Sequence, residues 1–284
     1  DFDKFNPSFT VEYDLDDFSN VYAKVVTAYK SGGTSQRSTS QVNFEEGFDE
    51  EDLVSYEVGY KGDIMDGRLR INGALFHMEY DDYQQSVPTG NNAGERDFIN
   101  IEDADITGLE LDVTAVITDE LTGTFSYGYL DTGFGPETVT YLALDATSPD
   151  GVSEVSETLT DDLALAPEHS ATLELDYTRS LDIGVLNANL NMQYQDETNS
   201  GVTLPTGDLD DRTLVGANLS LSEIELGEGF GRLRVSLWGR NLTDEEYYIG
   251  NIRQNQFDTL GFSFGVATFG DPRTYGITLE YQYN

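Results

Sequence analysis

The sequence predicts an all-β fold: about eleven antiparallel strands that cross a membrane as part of a transmembrane barrel, with short periplasmic turns and long extracellular loops. Three observations carry this reading. Apolar residues recur at every second position in segment after segment, while helical spacing is almost absent. The four clearest apolar rows contain no charged residue. The connections alternate strictly between short and long.

Taken in order, the first strands read at Phe9 to Asp14 and Asn20 to Lys30, joined by a turn at Leu15 to Phe18. After a long loop, Ser31 to Asp52, come Leu53 to Gly62 and Arg68 to Tyr83, around the turn Asp63 to Gly67. In Arg68 to Tyr83 the alternation slips phase between Leu75 and Phe76. Such a slip marks either a bulge or the point where the strand leaves its apolar environment. The loop Ser86 to Asp103 leads to a strand at Ala104 to Ile117 and the turn Thr118 to Glu120. There Leu121, Gly123, Phe125, Tyr127 and Tyr129 alternate with Thr122, Thr124, Ser126 and Gly128.

The longest loop, Gly133 to Ala166, precedes Pro167 to Ser180, whose apolar row is Ala171, Leu173, Leu175 and Tyr177. Past the turn Ser180 to Ile183, Leu186, Ala188, Leu190, Met192 and Tyr194 interleave with Asn187, Asn189, Asn191, Gln193 and Gln195. The loop Asp196 to Asp211 opens onto Thr213 to Ser222, the turn Glu223 to Phe230 and the strand Arg232 to Asn241. A final long loop, Asp244 to Asp271, feeds the last row: Tyr275, Ile277, Leu279, Tyr281 and Tyr283. This makes eleven strands and no helix.

Composition removes several classes of function. The 284 residues include no cysteine, which excludes disulfide scaffolds, thiolate zinc sites, Fe–S clusters and a cysteine nucleophile. A formal net charge of -38 repels phosphate backbones, so no nucleic acid partner is expected. With 17 Tyr, 15 Phe and 1 Trp the chain carries too much apolar surface for a disordered acidic tail. Ser, His and Asp all occur, but no G-x-S-x-G elbow places them, so the chain is not read as an enzyme and no cofactor is expected. Gly227, Gly229 and Gly231 lie between two strands with no helix to follow, which reads as a turn rather than a phosphate loop. Asn241-Leu-Thr243 matches a glycosylation sequon and reads more simply as a strand end. His77 and His169 read as structural.

Alternation alone also fits a soluble β-sandwich, which buries one face of each strand in the same pattern. Lipid is favoured by the alternating connection lengths and by the tyrosines. Tyr127, Tyr129, Tyr194 and Tyr275 gather near the long-loop end of their rows, and Tyr177, Tyr281 and Tyr283 near the short-turn end, forming two girdles at two interfaces. If the short turns are periplasmic, the last strand runs down to Asn284. Counting back through eleven strands then puts Asp1 at the extracellular end, so further strands are expected upstream.

In this order and spacing the segments FNPSFTVEYDL, NVYAKVVTAYKSGG, SYEVGYKGDIMDGRLRINGALFHMEYDDYQ and GLELDVTAVITDELTGTFSYGYLD, followed by VSLWGRNLTDEEYY and GDPRTYGITLEYQY, resemble the C-terminal half of a TonB-dependent outer-membrane receptor barrel. The resemblance covers essentially the whole chain. It implies strands 12 to 22 of a 22-stranded barrel, and one C-terminal barrel portion over residues 1–284, with the plug and the first strands lying elsewhere. It further implies the outer membrane of a Gram-negative bacterium, and active uptake of a scarce ligand such as a ferric siderophore. Cobalamin, haem or an oligosaccharide are the other substrate classes. The implied partners are the TonB complex, reached through a region absent from this sequence, and outer-membrane lipid and lipopolysaccharide. A passive porin or surface adhesin barrel, and a secreted β-sandwich, remain as other readings. Alone, residues 1–284 would leave two sheet edges open and are not expected to close into a pore.

Candidate ligand contacts are loop aromatics that could stack on a ligand at the outer mouth: Tyr83, Phe98, Tyr141, Tyr247, Tyr248 and Phe257. Arg96 and Arg253, each the one basic residue of its loop, could meet an anionic group. Carboxylates at Asp208, Asp210 and Asp211, or from Glu45 to Asp52, offer weak Ca²⁺ candidates, although neither matches an EF-hand. The five long loops together hold 27 acidic and 3 basic residues, so the acidity is concentrated at one end.

Overall fold

The computed structural model describes residues 4–38, 41–88, 96–134, 138–144, 152–158, 163–200, 208–227, 230–254 and 264–283. Seventeen strands appear among them. Six of these are β1 (Ser8–Asp16), β2 (Ser19–Lys30), β3 (Glu51–Ile64), β4 (Leu69–Pro88), β5 (Arg96–Val116) and β6 (Leu121–Phe134). They are followed in the same sheet by β9 (His169–Leu181), β10 (Gly184–Gln195), β13 (Arg212–Glu225), β14 (Arg232–Arg240) and β17 (Thr274–Gln282). These eleven form one antiparallel sheet in chain order, and all eleven strands expected from the alternation are in it.

The other six strands pair as three hairpins inside the long loops: β7 (Thr138–Leu144) with β8 (Val152–Thr158), β11 (Thr198–Asn199) with β12 (Asp208–Leu209), and β15 (Tyr248–Gln254) with β16 (Phe264–Phe269). One six-residue helix, α1 (Gln41–Glu46), sits in the first long loop, where no helix was expected. Among the described residues no helix is long and apolar enough to cross a membrane.

Register sorts the two faces. Val58, Leu75, Leu109, Tyr129 and His169 are successive cross-strand partners, so they share one face, and so do Leu175, Leu190, Ala217, Gly239 and Tyr275. That face is open: Leu75 is 54% exposed, Leu237 50% and Ile277 69%. Among the described residues no second sheet covers it, which removes the β-sandwich reading. The β3–β4 ladder runs unbroken from Ile64↔Leu69 to Asp52↔Asp81. The phase slip in β4 is therefore not a bulge. Leu75 is followed on the same face by His77 and Glu79, which marks where the strand leaves the apolar belt.

The opposite face is polar and internally bonded. Tyr22 donates to Glu57 (2.7 Å), Ser126 to Asp112 (2.6 Å), and Asn189 Nδ2 to both Glu174 and Asp176 (2.8 Å each). On this face aromatic rings occupy the space above glycines of the next strand: a Cβ on Gly108 would fall 2.3 Å from the Phe76 ring, and one on Gly276 2.6 Å from Trp238.

The hairpin β4–β5 pairs in one register out to Pro88↔Arg96, with no pair at Asp82 (φ 55°), across much of what reads as the loop Ser86 to Asp103. Roughly ten residues suffice to span a bilayer core, so the 20 residues of β4 carry the hairpin well beyond the belt.

The assignment of faces predicts an asymmetry in the complete receptor. Leu175→Arg, on the apolar row, should lower stability by about 2 to 4 kcal/mol, whereas Thr172→Arg on the polar face should cost under about 1 kcal/mol. Urea unfolding from liposomes measures both, and equal effects would refute the assignment.

Candidate functional site at the outer mouth

All the long connections leave the sheet at one end, and the one substantial buried core of the described residues is there rather than in the wall. Val87, Ile101, Ala104 and Leu163 are at most 9% exposed, with Tyr80, Tyr83, Ile99 and Ile106 packed around them. The β4–β5 extension supplies most of this cluster. Leu163, from the loop before β9, closes it and donates its N–H to Thr132 Oγ1 (3.2 Å).

Two amides lock the first long loop onto the same extension. Buried Gln84 donates Nε2 hydrogens to the carbonyls of Asp49 (2.9 Å) and Ser31 (3.1 Å), and its own N–H goes to the Glu51 carboxylate (2.7 Å). Asn100 accepts the Asp49 N–H (2.8 Å) and donates to the carbonyls of Asp82 (2.8 Å) and Asp49 (3.1 Å). Lys4 bonds to Glu50 and Asp52, whose carboxylates raise its pKa. Much of the acidic run Glu45 to Asp52 is thus committed to structure.

The candidate aromatics have partners of their own. Tyr83 meets Tyr80 edge-on (5.5 Å between centroids), and burial, reinforced by the Glu51 carboxylate, raises its phenol pKa. Phe98 packs on Phe48 (5.0 Å) and Tyr248 on Phe269 (4.9 Å). Tyr247 lies under the Arg212 guanidinium (5.2 Å) and against Gly270. It also faces a polar cavity of about 580 Å³ with Asn189, Asn191, Trp238 and Arg240, so of the candidates it is placed at the wall of the lumen. Arg96, Tyr141 and Arg253 are located by backbone pairing to Pro88, Val155 and Gly265. Phe257 lies outside the described residues.

Asp208, Asp210 and Asp211 do come together with other acids. With Asp131, Glu168, Asp196 and Glu197 they line a cavity of about 650 Å³ above the ends of β6, β9 and β10, with no Lys or Arg among its described lining. At its edge Glu168, His169 and Asp196 hold ligand-type atoms within 4.8 Å of one another. Sequence spacing does not reveal this cluster: Asp196 lies 27 residues from His169, and only the β9–β10 register joins them.

The strand end Arg240–Asp244 is a second construction that sequence alone does not reveal. Asn241 is buried with φ 48°, in the left-handed region asparagine tolerates. Its Nδ2 donates to the carbonyls of Glu245 (2.9 Å) and Asp271 (3.0 Å), and its Oδ1 accepts the Glu245 N–H (2.9 Å). One side chain therefore ties both arms of the last long loop.

A sheet with one open apolar face, one polar face and all its elaboration at one end has the form of part of a transmembrane β-barrel wall. Residues 1–242 match the model of the TonB dependent receptor-like β-barrel family, and the chain belongs to that family. Its members are transport receptors rather than enzymes, and they reside in the outer membrane of Gram-negative bacteria. Among solved structures the chain is similar to the ferric yersiniabactin uptake receptor FyuA of Yersinia pestis, with a TM-score of 0.69 and 17% identity over 96% of this chain and 36% of that one. It is also similar to the siderophore receptor PiuA of Acinetobacter baumannii, with a TM-score of 0.63 and 17% identity over 96% of this chain and 35% of that one. A third likeness, to the ferric citrate transporter FecA, has a TM-score of 0.61 and 19% identity over 97% of this chain and 38% of that one. The chain thus spans about a third of the length of the receptors it matches.

Replacing Asn241 with Ala removes three buried hydrogen bonds, each worth about 1 kcal/mol. In the complete receptor this should make the loop 241–273 cleavable by protease at concentrations that leave the wild type intact, with the barrel itself still folded. Unchanged cleavage would show that the loop is held elsewhere.

Proposed function

We propose that the chain is the C-terminal portion of the barrel of an energised outer-membrane importer, whose cargo is a ferric siderophore captured at the outer mouth. The observation that carries this reading is the eleven-strand arc with every long loop at one end, in a chain of the TonB-dependent receptor family. The polar face would line the passage and meet the plug, and Tyr247 with Arg240 would lie at its upper wall. The siderophore specificity named for the receptors it resembles supports that substrate class over cobalamin, haem or an oligosaccharide. Energy would come from TonB acting on a plug outside this sequence. The test is iron accumulation by a siderophore-deficient strain carrying the complete receptor as its one route. Uptake should need both the receptor and TonB; uptake that persists without TonB would favour the passive porin.

The same reading gives the acidic loops a partner. Divalent cations would bridge them to the phosphates of lipopolysaccharide, since the loops carry 27 acidic residues against 3 basic ones. Purified receptor washed with a chelator should lose its retained lipopolysaccharide, and retention unchanged by the wash would refute the bridge.

A further inference from the structure

Three side chains at the top of the β9–β10 hairpin form a donor set that transport through the lumen does not use. His169 opens β9, Glu168 immediately precedes it, and Asp196 follows β10. His169 is the cross-strand partner of Tyr129 and shares its face, so the set stands on the outer surface immediately above the apolar row Ala171, Leu173 and Leu175. We propose that Glu168, His169 and Asp196 bind one divalent transition-metal ion of the zinc class at this rim.

The donors are of the right kind. An imidazole nitrogen with two carboxylates suits Zn²⁺, Cu²⁺ or Ni²⁺, whereas Ca²⁺ and Mg²⁺ take oxygen ligands alone. The spacing is also right. His169 Nε2 lies 3.8 Å from Glu168 Oε1, and the three ligand atoms fall within 4.8 Å of one another. With metal–ligand bonds of about 2.0 to 2.2 Å, two ligands on one ion sit roughly 3 to 4 Å apart. Glu168 is exposed and free to rotate the remaining distance.

Two of the three ligands are already held in place. The His169 ring stacks on Tyr127 (6.0 Å, 23°) and leans on Tyr129 (5.2 Å), and its Nδ1 is 2.8 Å from the Tyr127 hydroxyl. When Nδ1–H donates to that hydroxyl, the Nε2 lone pair is left for a metal; this is how ligating histidines are generally oriented by an outer partner. Asp196 accepts the His169 N–H (3.0 Å) and the Tyr194 hydroxyl, and its own N–H returns to the His169 carbonyl (2.9 Å). The adjoining cavity, lined by four further carboxylates besides Asp131, adds a negative potential that concentrates cations at the site. An ion here would tie the end of the longest loop to the start of the next, across the hairpin that joins β9 to β10. The proposal needs only the folded barrel, so it stands or falls separately from the transport reading.

The test is calorimetric titration of the complete receptor in detergent with ZnCl₂, alongside the d–d absorption of bound Co²⁺. One Zn²⁺ should bind per receptor, with a Co²⁺ spectrum showing nitrogen ligation, and millimolar Ca²⁺ should not displace it. His169→Gln should weaken binding at least tenfold and abolish that spectrum. The exposed Glu168→Gln, which leaves the packing around His169 intact, should weaken it severalfold, so the test survives if the first variant misfolds. Asp208→Asn/Asp210→Asn/Asp211→Asn should leave one Zn²⁺ bound with its Co²⁺ spectrum unchanged, weakened at most severalfold by the loss of local negative potential. Zn²⁺ binding that is absent, that survives both single variants, or that is lost in the triple variant or to Ca²⁺ would overturn the proposal.

Discussion

The structure depends on one constraint: inside hydrocarbon no water is available to a peptide group, so every N–H and C=O of a spanning strand must find its partner in a neighbouring strand. The ladder from β1 to β17 meets it strand by strand, with unbroken registers such as the twelve residue pairs between β9 and β10. Once the backbone is fixed in this way, the pleat sends successive side chains to opposite faces. One face then meets lipid and the other water, so the period-two rows are a consequence of backbone pairing. Because β1 and β17 do not pair, the eleven strands form an arc, and closing the cylinder requires partners for both edges.

Above the apolar belt water returns and the chain is held together differently. There the backbone of irregular loops competes with solvent, and it is secured by a small core and by buried amides. Gln84 and Asn100 satisfy the main chain around Asp49, and Asn241 satisfies both arms of the last loop. The hairpin β4–β5 serves both regimes: its lower half is wall, and its upper half carries Val87 and Ile101 into the core under Leu163. A mouth built this way fixes the positions of residues such as Tyr83 and Phe98 by packing, whatever contact they make with a ligand.

The wall was legible in the sequence because one rule, alternation, governs it. Leu121 to Tyr129 and Leu186 to Tyr194 could be placed on faces without coordinates. The loop hairpins were not legible. Thr138 to Leu144 and Val152 to Thr158 pair with each other in a two-stranded sheet of their own, apart from the wall whose alternation could be followed. The helix Gln41–Glu46 is too short to show a helical period. For the candidate site, the acidity of Asp208 to Asp211 could be read, but not its convergence with Asp131 and Asp196, which comes from strands distant in sequence. His169 read as structural for the same reason. Its significance arises from Tyr127 and Asp196, and register rather than spacing brings them to it.

The distribution of charge follows from the same physics. Carboxylates are costly on the lipid face, and on the polar face those of Asp112, Glu174 and Asp176 are engaged by Ser126 and Asn189. Just over half of the acids, 27 of 53, are carried by the five long loops, where water and counter-ions screen them. They make the mouth a region of negative potential that draws cations and repels anions. Because the field acts over the approach path and not at one contact, a strongly anionic ferric complex would be disfavoured before it touched any aromatic side chain. On the transport reading, the cargo best matched to this mouth is a neutral or cationic iron complex, recognised by stacking and hydrogen bonding rather than by charge.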